Sequence, residues 1–403
     1  MTKSGETGKT METRNTGIFE PMYLSAFILL CVKITSDCSE LFKLNDLADK
    51  MLVGVIVTLL CVKIVSQRYT PVRLLITVAV CVIISASCLI GGYSTFLLGF
   101  LFVVAMQDVS FEKIIKINYR FKTVFILFHV VIYIVVYMIN PAAINFVYRS
   151  LETPRHYFYI GHANMFTAFL VWTCIEYIYL HYDKIKPAHF VIMWIINIIF
   201  YIYTDSNTGI VILAFLTLIV AYEKSGAKSV DRALTVLAKY IYTFIALLCT
   251  FLAIYYTRLG PAMKNVWLAV DDALTGRIKY GAYVYDVFGV TLMGRKLNIP
   301  EKIFWDGRWF DKFYYFDNYY HGNLLQFGII HILVPAVAFA FIGSKLENRE
   351  KIIIIVFSFY GIMEKYVINV FICFAFLIIG KYLYQKNKKP ADATRPDDIY
   401  ASG

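Results

Sequence analysis

Hydrophobic residues form long uninterrupted runs along most of this chain, and polar residues are concentrated in the connections between those runs. A helix needs about 20 apolar residues to cross a lipid bilayer. The pattern therefore predicts an all-α polytopic membrane protein. Twelve runs are candidate transmembrane segments: 20–36, 51–65, 73–90, 92–107, 120–140, 163–181, 188–204, 207–222, 237–257, 321–343, 351–363 and 365–385.

Several runs are shorter than about 20 residues, so we expect kinked or partly re-entrant helices among them. Gly91-Gly92-Tyr93 separates the third run from the fourth and predicts a tight helical hairpin. Only Thr204-Asp205-Ser206-Asn207 separates the seventh from the eighth. The eleventh and twelfth runs pivot on Glu364-Lys365.

The composition supports the membrane assignment and explains the charge. Of 403 residues, 59% are hydrophobic and 17% are charged, which is more apolar surface than a soluble domain buries. Basic residues gather in alternate connections, which the positive-inside rule places in the cytoplasm with both termini. The net charge of +11 thus reflects topology and predicts no nucleic-acid partner. The basic connections contain Arg68, Arg73, Lys113, Lys116, Arg120, Lys122, Lys184, Lys186, Lys224, Lys228, Arg232, Lys345, Arg349 and Lys351.

This topology divides the chain into three parts. We expect residues 1–18 to be a disordered cytoplasmic tail without a signal peptide, and 386–403 to be a basic cytoplasmic tail. The membrane domain between them, 19–385, has two large external loops, 141–162 and 258–320. Seven of the eight cysteines lie in apolar runs, and their spacing indicates neither a disulfide nor a metal site.

Residues suited to anion binding or proton transfer gather on the external face of this topology, whereas a random distribution would place them on both faces. This one-sided distribution is the strongest functional indication in the sequence. The residues are Arg149, Arg155, His156, His162, Asp205, Arg277, Arg295, Arg308, Asp317 and His321.

The first external loop ends where the sixth helix begins, at His162-Ala163-Asn164. A helix N-terminus presents unpaired N–H groups and favours a phosphate or sugar oxygen. Arg149 and Arg155 add planar donors suited to pyrophosphate. The alternative is that both arginines lie at the lipid headgroups and that His162 or Asn164 caps the helix.

A second polar group, 204–209, lies between two apolar helices, where small polar residues cap helices or line a wet cavity. Ser206 and Asn207 are candidates for substrate contact. A double cap, with Asp205 or Ser206 as the N-cap of the eighth helix, explains the same residues equally well.

The long external segment contains glycine followed by arginine at Gly276-Arg277, Gly294-Arg295 and Gly307-Arg308. Glycine allows close backbone approach to a ligand while the guanidinium reaches inward. Asp317, at the start of the tenth run, is a candidate general base for a sugar hydroxyl, with a helix cap or a salt bridge as the alternative. Nearby aromatic residues suit either sugar stacking or an interfacial belt: Trp305, Trp309, Phe310, Phe313, Tyr314, Tyr315 and Phe316.

The chain has no Walker motif, no glycine-rich nucleotide loop and no compelling DxD-like metal site in the external loops; Asp271-Asp272 is the nearest approach. We therefore expect no cofactor, and the energy for a reaction has to come with the substrate.

Taken together, these elements resemble the Wzy-type polysaccharide repeat-unit polymerases, relatives of the O-antigen ligases with a GT-C-like membrane fold. The resemblance extends over nearly the whole chain and depends on the order and sidedness of weak motifs. These are Gly161-His162-Ala163-Asn164, Ser206-Asn207, Thr275-Gly276-Arg277, and Asp317-Asn318 followed by Leu324-Leu325 and Gly328-Ile329.

The resemblance implies a metal-independent glycosyltransferase in the bacterial cytoplasmic membrane. Its substrates are undecaprenyl-diphosphate-linked glycans, and a flippase and a chain-length regulator are candidate partners besides membrane lipids. Asp317 is similar in position to a functional histidine of a His-Asn motif in the ligases, so Asn318 belongs to the implied site. His321, one turn later, is a candidate substitute for that histidine. Ligases tend to have arginine where this chain has Asn207, which shifts phosphate binding to Arg277, Arg295 and the 149–155 pair.

Two other functions fit the sequence. The first is a ligase that transfers finished glycan to another lipid or protein acceptor. The second is a lipid-linked oligosaccharide flippase or another secondary transporter, which twelve helices also fit. A transporter should carry ionisable residues at mid-membrane in paired halves, and Glu176 is the main interior charge found here.

Overall fold

Helices dominate the computed structural model, which describes residues 7–92, 95–148, 154–226, 228–256, 258, 260–274, 276–297, 301–305, 307–311 and 317–383. Fifteen α-helices lie in these ranges. They are α1 (Thr7–Cys38), α2 (Asp46–Val65), α3 (Pro71–Gly91), α4 (Thr95–Val104), α5 (Phe111–Ile139), α6 (Ala163–Leu180), α7 (Pro187–Thr204), α8 (Asn207–Lys224), α9 (Lys228–Tyr255), α10 (Pro261–Ala273), α11 (Arg277–Phe288), α12 (Tyr319–Gln326), α13 (Ile330–Ile342), α14 (Asn348–Met363) and α15 (Ala375–Leu383).

Two small antiparallel hairpins and three 3₁₀ turns complete the described secondary structure. Strand β1 (Val147–Tyr148) pairs with β2 (Pro154–Arg155), and β3 (Lys302–Trp305) pairs with β4 (Arg308–Asp311). The 3₁₀ turns are Pro141–Ala143, Tyr182–Lys184 and Lys365–Ile368.

Seven helices in the described ranges are long and apolar enough to cross a membrane, which makes the chain a multi-pass membrane protein. They are Phe19–Cys38, Pro71–Gly91, Phe111–Ile139, Ala163–Leu180, Pro187–Thr204, Asn207–Lys224 and Ser229–Tyr255. Their burial is uneven. Most side chains of α6 are buried, whereas α3 and α7 expose rows of large aliphatic side chains that lipid can solvate.

Local sequence explains where several helices begin and end. Thr70 caps α3 by accepting a hydrogen bond from the backbone N–H of Arg73, and Pro71 occupies the first helical position. Gly92 ends the same helix in the left-handed conformation at φ 74°, within the predicted connection Gly91-Gly92-Tyr93, of which Tyr93 lies outside the described residues. Helix α7 ends at Thr204 and α8 begins at Asn207, as the short polar connection predicts.

The last three predicted segments are less regular than their hydropathy suggests. The tenth divides into α12 and α13 at Gly328, where φ is 87°. The backbone of Leu292–Gly294 packs so closely there that a Cβ atom on Gly328 would overlap it. The eleventh corresponds to α14. The twelfth begins with the 3₁₀ turn Lys365–Ile368 and becomes α-helical only at Ala375.

The boundaries of other predicted regions also differ from the structure. Helix α1 begins at Thr7, inside the stretch expected to be a disordered tail, and 386–403 lies outside the described residues. Helix α5 begins at Phe111, so Lys122 lies within a helix rather than in a basic connection. The segment 258–320, which the sequence predicts to be external, contains α10, α11 and the β3–β4 hairpin, and α11 packs against α9 and α12.

A buried ion pair holds the broken part of the twelfth segment. Lys122 on α5 lies 2.6 Å from Glu176 on α6, and both side chains are fully buried. Lys122 also donates a hydrogen bond to the carbonyl of Ile372, and Asn118 donates one to the carbonyl of Phe371. These donors satisfy backbone carbonyls that a continuous helix would have satisfied internally.

Candidate functional site: an arginine–carboxylate cluster

Five polar side chains converge where the ends of several elements meet at one end of the helix bundle. They are Arg155 on β2, Asn164 at the start of α6, Arg277 at the start of α11, Asp317 just before α12 and Glu364 after α14. We call them the arginine–carboxylate cluster. Arg155 comes from the loop 141–162, and Arg277 and Asp317 come from the segment 258–320. The turn between α7 and α8 contributes direct contacts to the cluster.

Glu364 is at the centre of the cluster and only 1% exposed. Its Oε1 accepts hydrogen bonds from Asn164 Nδ2 at 3.0 Å and from Thr208 Oγ1 at 3.2 Å. Arg277 Nη2 lies 3.4 Å from the same oxygen. Glu364 occupies the C-cap position of α14, with extended backbone. It can reach these three partners because the helix stops at Met363.

Arg277 is held in one orientation by the backbone around it. Its Nε donates to the carbonyl of Met363 at 2.8 Å and its Nη1 donates to the carbonyl of Leu274 at 3.0 Å. Nη2 then lies between two carboxylates, Glu364 at 3.4 Å and Asp317 Oδ2 at 3.8 Å. A guanidinium fixed at three nitrogens is preorganised toward whatever occupies the space beside Asp317.

Asn164 connects the second arginine to the cluster. Its Oδ1 accepts from Arg155 Nη2 at 2.7 Å and from Ser206 Oγ at 3.2 Å. Arg155 Nε donates to the carbonyl of Thr204 at 2.8 Å. The side chain of Ser206 therefore joins this network, although Ser206 occupies the N-cap position of α8.

The cluster opens to solvent on the Asp317 side. The Asp317 side chain is 41% exposed, whereas the Arg277 side chain is 9% exposed. Lys365, the residue after Glu364, is also exposed and interacts electrostatically with Asp317. The arrangement is a buried floor of Glu364 and Arg277 with Asp317 and Lys365 at its rim.

Burial raises the pKa of Glu364 to about 8, and the nearby Asp317 carboxylate raises it further, against the lowering effect of Arg277. Glu364 is therefore mostly protonated at neutral pH. Burial also raises the pKa of Asp317 above its ordinary value, while Arg277 and Lys365 oppose this shift. Two basic side chains, Arg277 and Lys365, interact electrostatically with Asp317, and Arg155 interacts with Glu364, so the site can hold an anion beside a base.

Three other predicted site residues have structural contacts in this chain. His162 caps α6 by accepting a hydrogen bond from the N–H of Asn164, as the capping alternative expects. Asn318 caps α12 by accepting from the N–H groups of Tyr320 and His321. Asn207 is exposed and accepts a hydrogen bond from the hydroxyl of Tyr201.

His321 lies behind Asp317, inside the protein. Its side chain is 2% exposed, and Nε2 lies 2.9 Å from the carbonyl oxygen of Cys249. The ring packs so closely on Gly281 that a Cβ atom there would overlap it. This environment places His321 in the packing between α9, α11 and α12, away from the open side of the cluster.

Of the remaining two predicted arginines, Arg295 lies outside the cluster. Arg149 is outside the described residues. The backbone N–H of Arg295 donates to the carbonyl of Gln326, at the opposite end of α12 from Asp317. Across the described ranges, its guanidinium forms no ion pair with a cluster residue. Among the described side chains of the glycine–arginine pairs, that of Arg277 belongs to the cluster; the side chain of Arg308 lies outside the description.

The aromatic residues of the long segment divide into two groups. Trp305 packs on Tyr256 and Tyr283 and donates a hydrogen bond from Nε1 to Asp286. Phe304 and Trp309 are paired across the β3–β4 hairpin, with ring centroids 5.3 Å apart and ring planes tilted by 55°, and most of their surface is exposed. Phe313–Phe316 lie outside the described residues.

The sequence indicated Glu364 only as a pivot between two runs, and Thr208 only as a member of the polar group 204–209. The indication that could have found Glu364 is its position. An acidic residue at the end of an apolar run is costly unless it has a partner or a function. No group of three or more metal-ligating His, Cys, Asp or Glu side chains occurs in the described part of the chain.

Comparisons with known proteins do not extend this description. No family model matches the chain, and no curated protein or solved structure shows significant similarity to it.

Proposed function

We propose that this protein is a membrane glycosyltransferase that polymerises undecaprenyl-diphosphate-linked oligosaccharide repeat units, as the resemblance to Wzy-type polymerases implies. The observation that carries the proposal is the arginine–carboxylate cluster. A surplus of positive charge suits a diphosphate leaving group, and a partly exposed carboxylate with a raised pKa suits a general base.

In the proposed reaction, Asp317 accepts the proton of an acceptor sugar hydroxyl as that oxygen attacks the anomeric carbon of the donor. A new C–O bond forms and the bond between the anomeric carbon and the diphosphate oxygen breaks. Polyprenyl diphosphate leaves with the electron pair. Arg277, Arg155 and Lys365 stabilise the negative charge that grows on it. Attack opposite the leaving group inverts the anomeric carbon.

Glu364 serves this reaction by holding the arginines in place without cancelling their charge. Its protonated carboxyl keeps an oxygen acceptor for Asn164, Thr208 and Arg277. Because the group is neutral at pH 7, the positive surplus faces the donor diphosphate. A permanently ionised carboxylate at this position would weaken that attraction.

The proposal includes a twelve-span, GT-C-like arrangement in the bacterial cytoplasmic membrane with both termini in the cytoplasm. The seven long apolar helices provide seven crossings, and α2, α4, α13, α14 and α15 provide the other five. The cluster then lies at the outer face, where both lipid-linked glycans enter laterally from the outer leaflet. A flippase that delivers repeat units and a chain-length regulator are the partners expected of such an enzyme.

The test uses purified protein and a lipid-linked repeat unit, with the polymer ladder as readout. We expect Asp317→Asn to lower the rate of chain extension by about 100-fold or more, the range for loss of a general base. Asp286→Asn, which removes a carboxylate from α11 outside the cluster, is the matched control and should retain activity. A normal ladder from folded Asp317→Asn protein would refute the assignment.

Ligation is the nearest alternative, because it uses the same donor and the same bond changes. The two are separated by supplying the lipid-linked repeat unit alone. Extension to a ladder supports polymerisation. Product only after addition of a second lipid or protein acceptor identifies a ligase.

Transport is an alternative function of another class, and the buried Lys122–Glu176 pair is the structural feature that could favour it. An ionisable pair inside a membrane protein is often part of an ion pathway. Here Lys122 also donates to the carbonyl of Ile372, and Asn118, which donates to the same Glu176 oxygen, also donates to the carbonyl of Phe371. These contacts explain the pair as support for the broken twelfth segment. The polymerase proposal therefore needs no transport role for it.

A further inference from the structure

A groove of about 610 Å³ runs along the membrane-facing side of the bundle between α3, α4, α13 and α15. Its volume lies in the range of about 300–1,000 Å³ typical of small-molecule sites. Nearly all of its lining is apolar. Characteristic lining residues are Thr77, Val80, Phe100, Val334, Ala338 and Phe376. In a helical membrane protein, an apolar groove of this size at the lipid boundary suits a hydrocarbon chain.

The two ends of the groove differ. Arg73, in the first turn of α3, lines one end. Gly91, at the other end of α3, packs against Gln326 at the end of α12. Eighteen residues separate Arg73 from Gly91, so the rise of about 1.5 Å per residue places them about 27 Å apart. Arg73 therefore lies toward the opposite face of the bundle from the arginine–carboxylate cluster.

Arg73 gives the groove a charged entrance. Its residue is exposed, and its guanidinium has no ion pair with any described residue. Thr77 lies one turn further along α3 and also lines the groove, so a hydroxyl donor follows the guanidinium on the same helix face. These are the polar side chains of the lining, and both can donate hydrogen bonds to a phosphate oxygen.

We propose that the groove binds one anionic phospholipid from the leaflet at the Arg73 end. The headgroup phosphate pairs with Arg73 and Thr77, and one acyl chain occupies the apolar length between α4 and α13. A polyprenyl chain attached to a diphosphate at the cluster fits less well, because the charged entrance is at the opposite end from the cluster.

The far end of the groove connects this lipid to the site. Ile368 and Val370, which line the groove, belong to the broken twelfth segment that begins directly after Glu364. Hydrocarbon packed against these two side chains supports a stretch that has little helical hydrogen bonding of its own. The bound lipid thus acts as part of the scaffold that positions Glu364 and Lys365. Binding itself does not depend on the proposed function.

The experiment measures lipid retention by native mass spectrometry of the full-length protein, purified in detergent and mixed with equimolar phosphatidylglycerol and phosphatidylethanolamine. Wild-type protein should retain phosphatidylglycerol at least threefold more than phosphatidylethanolamine. Arg73→Gln should remove this preference. Ala338→Trp, which fills the groove, should lower retention of both lipids at least threefold.

Two variants control for general effects of the substitutions. Arg232→Gln removes another exposed arginine, near the start of α9, and should keep the preference. Val211→Trp adds an indole to an exposed position of α8 and should keep retention. Equal retention of both lipids by wild-type protein, or an unchanged preference in Arg73→Gln, would overturn the proposal. Displacement of phosphatidylglycerol by equimolar undecaprenyl phosphate would overturn it too, by assigning the groove to the substrate tail.

Discussion

Glu364 and Asp317 both lie beside the guanidinium of Arg277, and their different exposure gives them different tendencies to ionise. Glu364 is 1% exposed and Asp317 is 41% exposed, while both lie within 4 Å of Arg277 Nη2. The buried acid holds its proton because desolvation and the neighbouring carboxylate both disfavour its ionised form. Arg277 and Lys365 oppose the rise in the pKa of the exposed acid, Asp317, and its exposure suits it to act as the base.

The raised pKa of Glu364 predicts that activity falls at high pH. As pH rises through about 8, Glu364 loses its proton and adds a second negative charge beside Arg277. The diphosphate is then held less strongly and kcat/KM falls. Glu364→Gln keeps a neutral oxygen acceptor at every pH, so the falling limb should disappear in that variant. Measuring kcat/KM from pH 6 to about 9.5 checks this, with Asp286→Asn as control. A limb that persists unchanged in Glu364→Gln would assign it to another group.

The structure distinguishes two arginines that the sequence treats alike. Arg277→Lys should lower kcat/KM by about 100-fold, because a lysine cannot bond Met363, Leu274 and Glu364 together. Arg295→Lys preserves the charge at Gly294-Arg295 and should change kcat/KM by less than about threefold. The guanidinium of Arg295 forms no ion pair with a cluster residue in the described ranges. Steady-state kinetics of both variants decides the point. Equal losses would mean that Arg295 also contacts the substrate.

The sequence predicted part of the cluster and missed its centre. Arg155, Asn164, Arg277 and Asp317 were predictable because arginine and aspartate gathered on one face of an inferred topology. Glu364 was not, because hydropathy shows that it ends an apolar run but not which side chains surround it. The same limit applies to Asn318, since capping and catalysis use the same residue types.

At the scale of elements, hydropathy located the helices and concealed their breaks. The run 321–343 is mostly apolar, yet the chain turns at Gly328, where the close approach of Leu292–Gly294 leaves no room for a Cβ atom. The run 365–385 is equally apolar, and its first ten residues are not α-helical. Both breaks depend on distant partners, which the local pattern of apolar residues does not reveal.

The break in the run 365–385 leads to a prediction about Lys122. Lys122→Met leaves the Glu176 carboxylate buried without its cation and removes a donor from Ile372, so it should cost about 3–5 kcal/mol of stability. The double variant Lys122→Met with Glu176→Met removes both charges and should recover most of that loss. Thermal unfolding in detergent measures both. If the double variant is as unstable as Lys122→Met, the contact to Ile372 matters more than the charge pair.

At the scale of the whole molecule, the main features of the fold were predictable because each depends on local composition. The twelve predicted apolar runs correspond to helices, of which the tenth and twelfth are broken. The polar connection after α9 contains α10, α11 and the β3–β4 hairpin. That region's internal structure was not predictable. Helix α11 packs against α9 and α12, and Trp305 of the hairpin packs on Tyr283 of α11. The mixture of charged and aromatic residues in the region shows no single period.

Whether the number of membrane crossings is odd or even determines the sides on which the two termini lie. Seven crossings would put the two termini on opposite faces, whereas twelve put them on the same face. We expect green fluorescent protein to fluoresce when fused after Lys186 or Gly403, and alkaline phosphatase, which needs an oxidising compartment, to be active after Val290. The Lys186 and Val290 fusions have the same expected side under both counts and therefore serve as references. Phosphatase activity after Gly403 would support an odd count and remove α2, α4, α13, α14 or α15 from the set of crossings.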